Sequence, residues 1–91
     1  MVSKKVIIKN ATGLHLGPAG LFCKMAMKYD CHISIEKKND YENISANGKS
    51  VLGILGACIK YGDEIKIVCD GIDEEEALAD MTKLVEDGLG E

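Results

Sequence analysis

NATGLHLGPAG, residues 10–20 of this 91-residue chain, joins a predicted β-strand to a predicted α-helix and so decides the first half of the fold. The apolar, β-branched run Val6-Ile7-Ile8 before it is typical of a strand. Pro18 suits the first turn of a helix, where its missing N–H group would have had no partner. His15 is therefore predicted to lie at a helix N-terminus, where unpaired backbone N–H groups and the helix dipole favour a bound anion.

The size and charge of the chain limit its possible partners. A chain of 91 residues is long enough for one domain, residues 1–91, with one hydrophobic core. All 11 basic residues are lysine, so the chain has no guanidinium group with which to clamp an anion. The net charge of −4 and the absence of a basic stripe argue against a direct nucleic-acid partner. An anion site must therefore use backbone N–H groups, helix dipoles, lysines or side chains from a partner.

The cysteines and histidines predict neither a disulfide framework nor a metal centre. The chain has no Cys-x-x-Cys pair, and the spacings fit no common zinc site, so we expect no metal and no cofactor. We expect four buried, reduced thiols, those of Cys23, Cys31, Cys58 and Cys69. His32 is predicted on the solvent face of a strand. With no apolar leader and no run long enough for membrane insertion, the predicted location is cytoplasmic.

Apolar and polar side chains alternate in three short segments, which indicates strands with one buried and one solvent-facing side. The residues predicted to be buried are Val6, Ile8, Ile33, Ile35, Ile65, Ile67 and Cys69. A weaker fourth strand, around residues 41–46, is predicted to pair with residues 33–37 through the turn Lys37-Lys38-Asn39-Asp40.

Three other segments have the apolar period of a helix. Their predicted buried positions are Ala19, Phe22, Cys23 and Ala26 in the first, Val51, Ile54, Leu55 and Cys58 in the second, and Ala77, Met81, Leu84 and Val85 in the third. Asp73 is predicted to cap the third helix and Gly88 to end it. The order βαββαβα favours a two-layer α+β fold, with an antiparallel sheet covered on one face by the three helices.

The predicted position of His15 suits nucleophilic chemistry on a phosphoryl group. A neutral imidazole is a competent nucleophile, and the helix N-terminus favours the anionic product. Phosphoryl transfer requires mainly positioning and charge stabilisation, so a small domain can act as the carrier while its partners supply metal ions and further groups. The alternative is that His15 is a polar loop residue that forms part of the helix cap.

The motif GLHLGPAG, followed by a helix and later by NGKSVLGILG, resembles the HPr phosphocarrier family of the phosphoenolpyruvate:sugar phosphotransferase system. The resemblance extends over nearly the whole chain. It implies an open-faced β-sandwich with a four-stranded sheet and three helices. It also implies a carrier, not an enzyme, that accepts a phosphoryl group on Nδ1 of His15 from enzyme I and passes it to sugar-specific EIIA proteins or domains.

The chain departs from the family pattern beside the histidine. Family members usually have an arginine where this chain has Gly17, and Leu16 and Gly20 are also less usual choices. In place of the arginine, the phosphoryl group could be stabilised by Lys24, by a residue of a partner, or by the backbone N–H groups of Leu16 and Gly17. A glycine has no side chain, so it allows close approach to these N–H groups. A short insertion within residues 37–47 is expected to lengthen the predicted hairpin and to leave the site intact.

Ser50 is predicted to cap the second helix through its hydroxyl group. The resemblance implies that HPr kinase/phosphorylase phosphorylates this serine with ATP, which reduces transfer by the histidine and promotes binding to a catabolite-control transcription regulator. A phosphate at a helix N-terminus is compatible with the fold and changes the charge of the surface around it. Gly48-Lys49-Ser50 is not predicted to bind nucleotide, because Asn43 stands where such a loop needs glycine.

A docking surface for partners is predicted around His15. Its apolar members are Leu16, Gly20, Met27, Leu52 and Leu55, and its flanking lysines are Lys24, Lys28 and Lys49. The lysines favour partners with acidic rims.

Three hypotheses remain open from the sequence: a phosphocarrier, a regulatory binding module controlled by Ser50 phosphorylation with weak or no transfer through His15, and a structural domain that uses neither site. A monomer is expected for a small carrier that must dock with several partners.

Overall fold

The computed structural model describes residues 1–38, 41 and 43–91. The elements follow in the order β1 (Val2–Ile7), α1 (Leu16–Ala26), β2 (His32–Lys38), β3 (Asn43–Asn47), α2 (Val51–Gly56), β4 (Glu64–Asp70) and α3 (Glu74–Glu86). The strands form one antiparallel sheet in the order β1-β4-β2-β3. The predicted α+β class, the order of elements and the four-stranded antiparallel sheet with three helices are confirmed.

The core lies between the sheet and the three helices. All seven strand residues predicted to be buried are buried, and the register places Val6 opposite Ile65 and Ile35 opposite Ile67. Phe22 of α1 and Met81 of α3 are fully buried against this cluster. Because successive side chains of a strand point to opposite faces, the same register leaves the polar positions on the open side of the sheet.

The predicted hairpin between the second and third strands is present, with pairs from Ser34 opposite Asn47 to Lys38 opposite Asn43. Strand β2 continues through Lys37 and Lys38, which the predicted turn had included. The remaining residues of that turn, Asn39 and Asp40, lie outside the described residues.

The prediction of four buried thiols is wrong for Cys58. Helix α2 ends at Gly56, and Cys58 is exposed in a left-handed conformation with a φ of 53°. The apolar period that suggested burial therefore extends beyond the helix. Cys31 and Cys69 are buried and Cys23 is half-buried; burial raises the pKa of the Cys31 thiol to about 12, with a further contribution from the hydrogen-bonded carboxylate of Asp73.

The two ends of α3 differ in how well they were predicted. Asp73 occupies the N-cap position, but its carboxylate accepts hydrogen bonds from the backbone N–H groups of Asp30 and Cys31 at 2.8 and 2.9 Å and none from α3. The predicted side-chain cap is therefore wrong, because the carboxylate fixes the α1–β2 connection instead. The predicted end at Gly88 is confirmed: its φ is 91°, and the N–H of Leu89 bonds to the carbonyl of Leu84 at 3.0 Å.

Within the described residues, no helix is both long and apolar enough to cross a membrane.

Candidate functional site

His15 lies at the N-cap position of α1, with extended backbone angles of φ −78° and ψ −175°. Its carbonyl oxygen accepts the first helical hydrogen bond, from the N–H of Ala19 at 2.8 Å. The imidazole is exposed and makes no capping hydrogen bond to the helix. His15 therefore contributes its backbone to the helix start, while the ring is left accessible to a reactant.

The first turn of α1 offers backbone donors next to this ring. The N–H groups of Leu16 and Gly17 have no partner within the helix, and Pro18 contributes none. No acidic residue lies in that turn to oppose an anion. The helix dipole and these N–H groups therefore favour an anionic group attached to the ring of His15.

The space beside the first turn is open. A Cβ atom added to Gly17 would have nothing within 4 Å, and the same holds for Gly20 one turn later. Longer side chains at these positions are therefore sterically allowed, and so is the approach of a side chain from a docked partner. Position 17 therefore has room for a cationic side chain, although the residue present is glycine.

Lys24 lies nine residues beyond His15 along an uninterrupted helix, which places its backbone about 13 Å from that of His15 along the axis. This separation is slightly longer than the Debye length of about 10 Å at 0.1 M salt, so salt weakens the electrostatic effect of the Lys24 charge on the site. Of the stabilising groups predicted from this chain, the backbone N–H groups of Leu16 and Gly17 are nearer to His15 than Lys24 is.

The loop before His15 is attached to the segment between α2 and β4. Backbone hydrogen bonds join Ile8 to Asp63 and Gly62 at 2.9 Å each, and the N–H of Leu14 bonds to the carbonyl of Ile59 at 3.0 Å. Gly13 lies between these anchors with a φ of 65°, and a Cβ there would be 2.6 Å from the Ile59 oxygen. Only glycine fits this close approach of two backbones.

A second attachment of this loop was not predicted from the sequence. The carboxylate of Glu91 accepts hydrogen bonds from the hydroxyl of Thr12 at 2.9 Å and from Nδ2 of Asn10 at 3.1 Å. The same Asn10 amide donates to the carbonyl of Gly13 at 2.6 Å and is almost fully buried. The contact joins residues 79 and 81 positions apart, so no local pattern could reveal it; Gly88 and Gly90 flanking a leucine were the only signal of a tight reversal after α3.

Ser50 occupies the N-cap position of α2, and its Oγ accepts a hydrogen bond from the N–H of Gly53 at 3.0 Å. The predicted hydroxyl cap is therefore confirmed. The side chain is half-buried at the start of a helix that packs against α1. A charge added at Ser50 would thus lie on a helix adjoining the one that His15 begins.

The predicted docking residues differ in exposure. Leu16, Met27 and Leu52 are 62%, 63% and 82% exposed, whereas Gly20 and Leu55 are half-buried. Leu16 begins α1 and Met27 is its C-cap residue, so the predicted patch extends along the whole helix.

The flanking lysines also differ. Lys24 and Lys28 are exposed, but the ammonium of Lys49 donates to the carbonyl of Tyr29 at 2.5 Å and is partly buried. Lys49 therefore stabilises the chain just after α1, and one of its N–H donors is already bonded within the chain.

Comparisons with known proteins agree with this geometry. Residues 2–87 match the family described as "PTS HPr component phosphorylation site". The phosphocarrier protein HPr of Borreliella burgdorferi is 36% identical over 86 residues, which is 94% of this chain and 95% of that protein. The crystal structure of HPr from Thermoanaerobacter tengcongensis has a TM-score of 0.87 and 36% identity, covering 100% of this chain and 98% of that one. The Bacillus subtilis catabolite repression protein Crh, whose structure is a domain-swapped dimer, has a TM-score of 0.71 and 30% identity, covering 97% of each chain.

Proposed function

The chain belongs to the HPr family of phosphocarrier proteins of the phosphotransferase system, and on this premise we propose that His15 accepts a phosphoryl group from enzyme I and passes it to sugar-specific EIIA proteins or domains. The observation that carries the proposal is the exposed imidazole at the N-cap of α1, which is not used for capping. The chain is a carrier and not an enzyme.

The chemistry assigned to the chain is limited to holding the phosphoryl group. The ring of His15 is the nucleophile, and the N–H groups of Leu16 and Gly17 together with the helix dipole stabilise the phosphoryl oxygens. The remaining catalytic groups come from enzyme I and EIIA, which dock on the exposed side chains of Leu16 and Leu52. The proposed setting is the cytoplasm, with the chain acting as a monomer, in contrast to the dimer of Crh from Bacillus subtilis.

The complete relay tests this proposal. Incubation of the chain with enzyme I and isotopically labelled phosphoenolpyruvate is expected to give an acid-labile phosphoryl adduct, and addition of EIIA is expected to discharge it. An absence of adduct under conditions that charge another HPr protein would contradict the proposal.

Gly17→Arg is expected to accelerate phosphoryl acceptance about three- to tenfold, because a guanidinium group would supply charge-assisted hydrogen bonds that the chain now lacks. The open space at Gly17 accommodates the side chain. Stopped-flow transfer from phosphorylated enzyme I gives the rate, and Gly17→Gln controls for bulk without charge. An unchanged rate in Gly17→Arg would show that the backbone N–H groups or a partner already fill the role.

A second candidate function is regulatory, and the similarity to Crh favours it. Here Ser50 is phosphorylated by HPr kinase/phosphorylase, transfer through His15 is weak or absent, and the phosphorylated chain binds a catabolite-control transcription regulator. A phosphate at the N-cap of α2 would add about −1.5 to −2 charges beside the exposed Leu52 and so change the docking surface.

We expect HPr kinase with ATP to label the wild-type chain and to leave Ser50→Ala unlabelled. Ser45, an exposed serine of β3, provides the matched control, so Ser45→Ala should be labelled as the wild type is. Phosphate analysis by mass spectrometry measures both. A kinase that labels another HPr protein but not this chain would exclude the regulatory function.

A further inference from the structure

We propose that Glu91 is a positioning residue for His15: its side-chain carboxylate holds the loop between β1 and α1 in the conformation in which the imidazole is presented at the helix start. This inference rests on the proposed transfer through His15 and adds to it a residue that lies outside the docking surface and outside the first turn of α1.

The loop depends on Glu91 in its middle section. Its two ends are fixed by backbone bonds, at Ile8 and at Leu14, to the segment between α2 and β4. Between them, Thr12 is exposed, and its hydroxyl lies 2.9 Å from both carboxylate oxygens of Glu91. Among the described residues, the side-chain hydrogen bonds that join the middle of this loop to a distant part of the chain all end on Glu91.

The carboxylate also accepts a hydrogen bond from the amide nitrogen of a buried side chain, that of Asn10. Nδ2 of Asn10 has two donor hydrogens, and these go to the carbonyl of Gly13 at 2.6 Å and to Oε1 of Glu91 at 3.1 Å. Asn10 is only 4% exposed, so removal of the carboxylate would leave a buried donor unpaired, which is unfavourable. The bond to Gly13 links this amide directly to the turn that precedes Leu14 and His15.

The backbone that delivers Glu91 has an unusual conformation. Gly88, Leu89 and Gly90 have φ values of 91°, 53° and 82°, so three consecutive residues have positive φ. For Leu89, which is buried, this conformation is unfavourable because its Cβ atom is crowded against the following carbonyl oxygen. Such a conformation persists where surrounding contacts impose it, and here the result is that the chain turns back toward the start of α1.

The side chains of α1 pack close to this reversal. A Cβ atom added to Gly90 would lie 3.2 Å from Cδ2 of Leu21, so the segment after α3 lies against the helix that His15 begins. The hydrogen bonds from Thr12 and then from Asn10 lower the pKa of Glu91, which indicates that the loop favours the charged form. The hydrogen bonds from Thr12 and Asn10 and the reversal of the backbone after α3 therefore all direct the Glu91 carboxylate to the loop.

Three variants separate positioning from general stabilisation. Glu91→Ala removes the acceptor, and Glu91→Gln keeps an acceptor oxygen without the charge. The matched control is Glu86→Ala, which removes an exposed glutamate five residues earlier that pairs with Lys4 at 3.5 Å. Amide hydrogen exchange at Gly13 and Leu14 is measured in each variant, together with kcat and KM for phosphorylation of the chain by enzyme I and phosphoenolpyruvate.

We expect exchange at Gly13 and Leu14 to be about five- to tenfold faster in Glu91→Ala, because the loop opens locally more often. We expect kcat to fall by about the same factor, since small misplacements of a reacting group reduce rates strongly, while KM stays within about twofold because the docking side chains are unchanged. Glu91→Gln should recover most of both losses, and Glu86→Ala should match the wild type.

Two results would overturn the inference: unchanged exchange in Glu91→Ala, or equal losses of kcat in Glu91→Ala and Glu86→Ala. The exchange measurement needs no phosphoryl transfer. If the wild type accepts no phosphoryl group from enzyme I, the proposed function fails and the positioning role fails with it. If the wild type is phosphorylated and Glu91→Ala is phosphorylated equally fast, only the positioning role fails.

Discussion

His15→Ala is expected to abolish phosphoryl acceptance from enzyme I while changing the free energy of unfolding by no more than about 0.5 kcal/mol. The ring is exposed and makes no capping hydrogen bond, so its removal leaves no buried group unpaired. The helix start is retained because the carbonyl of residue 15, and not the side chain, accepts the bond from Ala19. Phosphoryl incorporation and urea unfolding measure the two effects separately.

His32→Ala provides the matched control for this variant, because His32 is the second histidine of the chain and is also exposed. It is the first residue of β2 and lies opposite Asp70 of β4, whereas His15 lies at the N-terminus of α1. His32→Ala should accept a phosphoryl group to the same extent as the wild type. Equal incorporation in His15→Ala and the wild type would exclude His15 as the acceptor.

Gly13→Ala is expected to lower the free energy of unfolding by about 2–4 kcal/mol and to slow phosphoryl acceptance at least about tenfold. A left-handed conformation is unfavourable by roughly 1–2 kcal/mol for a residue with a Cβ atom. In addition, that atom would lie 2.6 Å from the Ile59 oxygen and 2.8 Å from Cα of Lys60, so backbone must move. The movement would break the hydrogen bond from Leu14 that places His15. Urea unfolding and transfer kinetics check both effects.

Gly62→Ala separates the two contributions. Gly62 has a φ of 85°, but a Cβ atom there would have nothing within 4 Å. Its substitution should therefore show the conformational effect alone, about 1–2 kcal/mol. If Gly13→Ala is no more destabilising than Gly62→Ala, the two backbones at Gly13 and Ile59 are not in the close contact described.

Most of the fold could be predicted because local patterns determine it. Alternating apolar residues such as Ile33 and Ile35 can be buried together only on one face of a strand, and Ala19, Phe22 and Ala26 only on one face of a helix. The predictions failed where a local pattern met a tertiary constraint. Cys58 continues the helical period of α2, but the chain turns at that point to bring Ile59 to Leu14.

The same distinction applies to the candidate site. The position of His15 and the cap at Ser50 follow from residues within one helical turn, so the sequence predicts them. The carboxylates of Asp73 and Glu91 instead bond to loops 42 and 79 residues away, and the ammonium of Lys49 bonds to Tyr29 across a strand hairpin. Contacts of this kind depend on how the elements pack, and a single sequence contains no periodic sign of them.

The central claim is that His15 is the residue that holds the phosphoryl group. The most direct test charges the wild-type chain with enzyme I and phosphoenolpyruvate and locates the modification by tandem mass spectrometry at neutral pH, where phosphohistidine survives. We predict one phosphoryl group per chain, on the peptide that contains His15. A chain that remains unmodified, or one modified at His32 or at a serine instead, would contradict the claim.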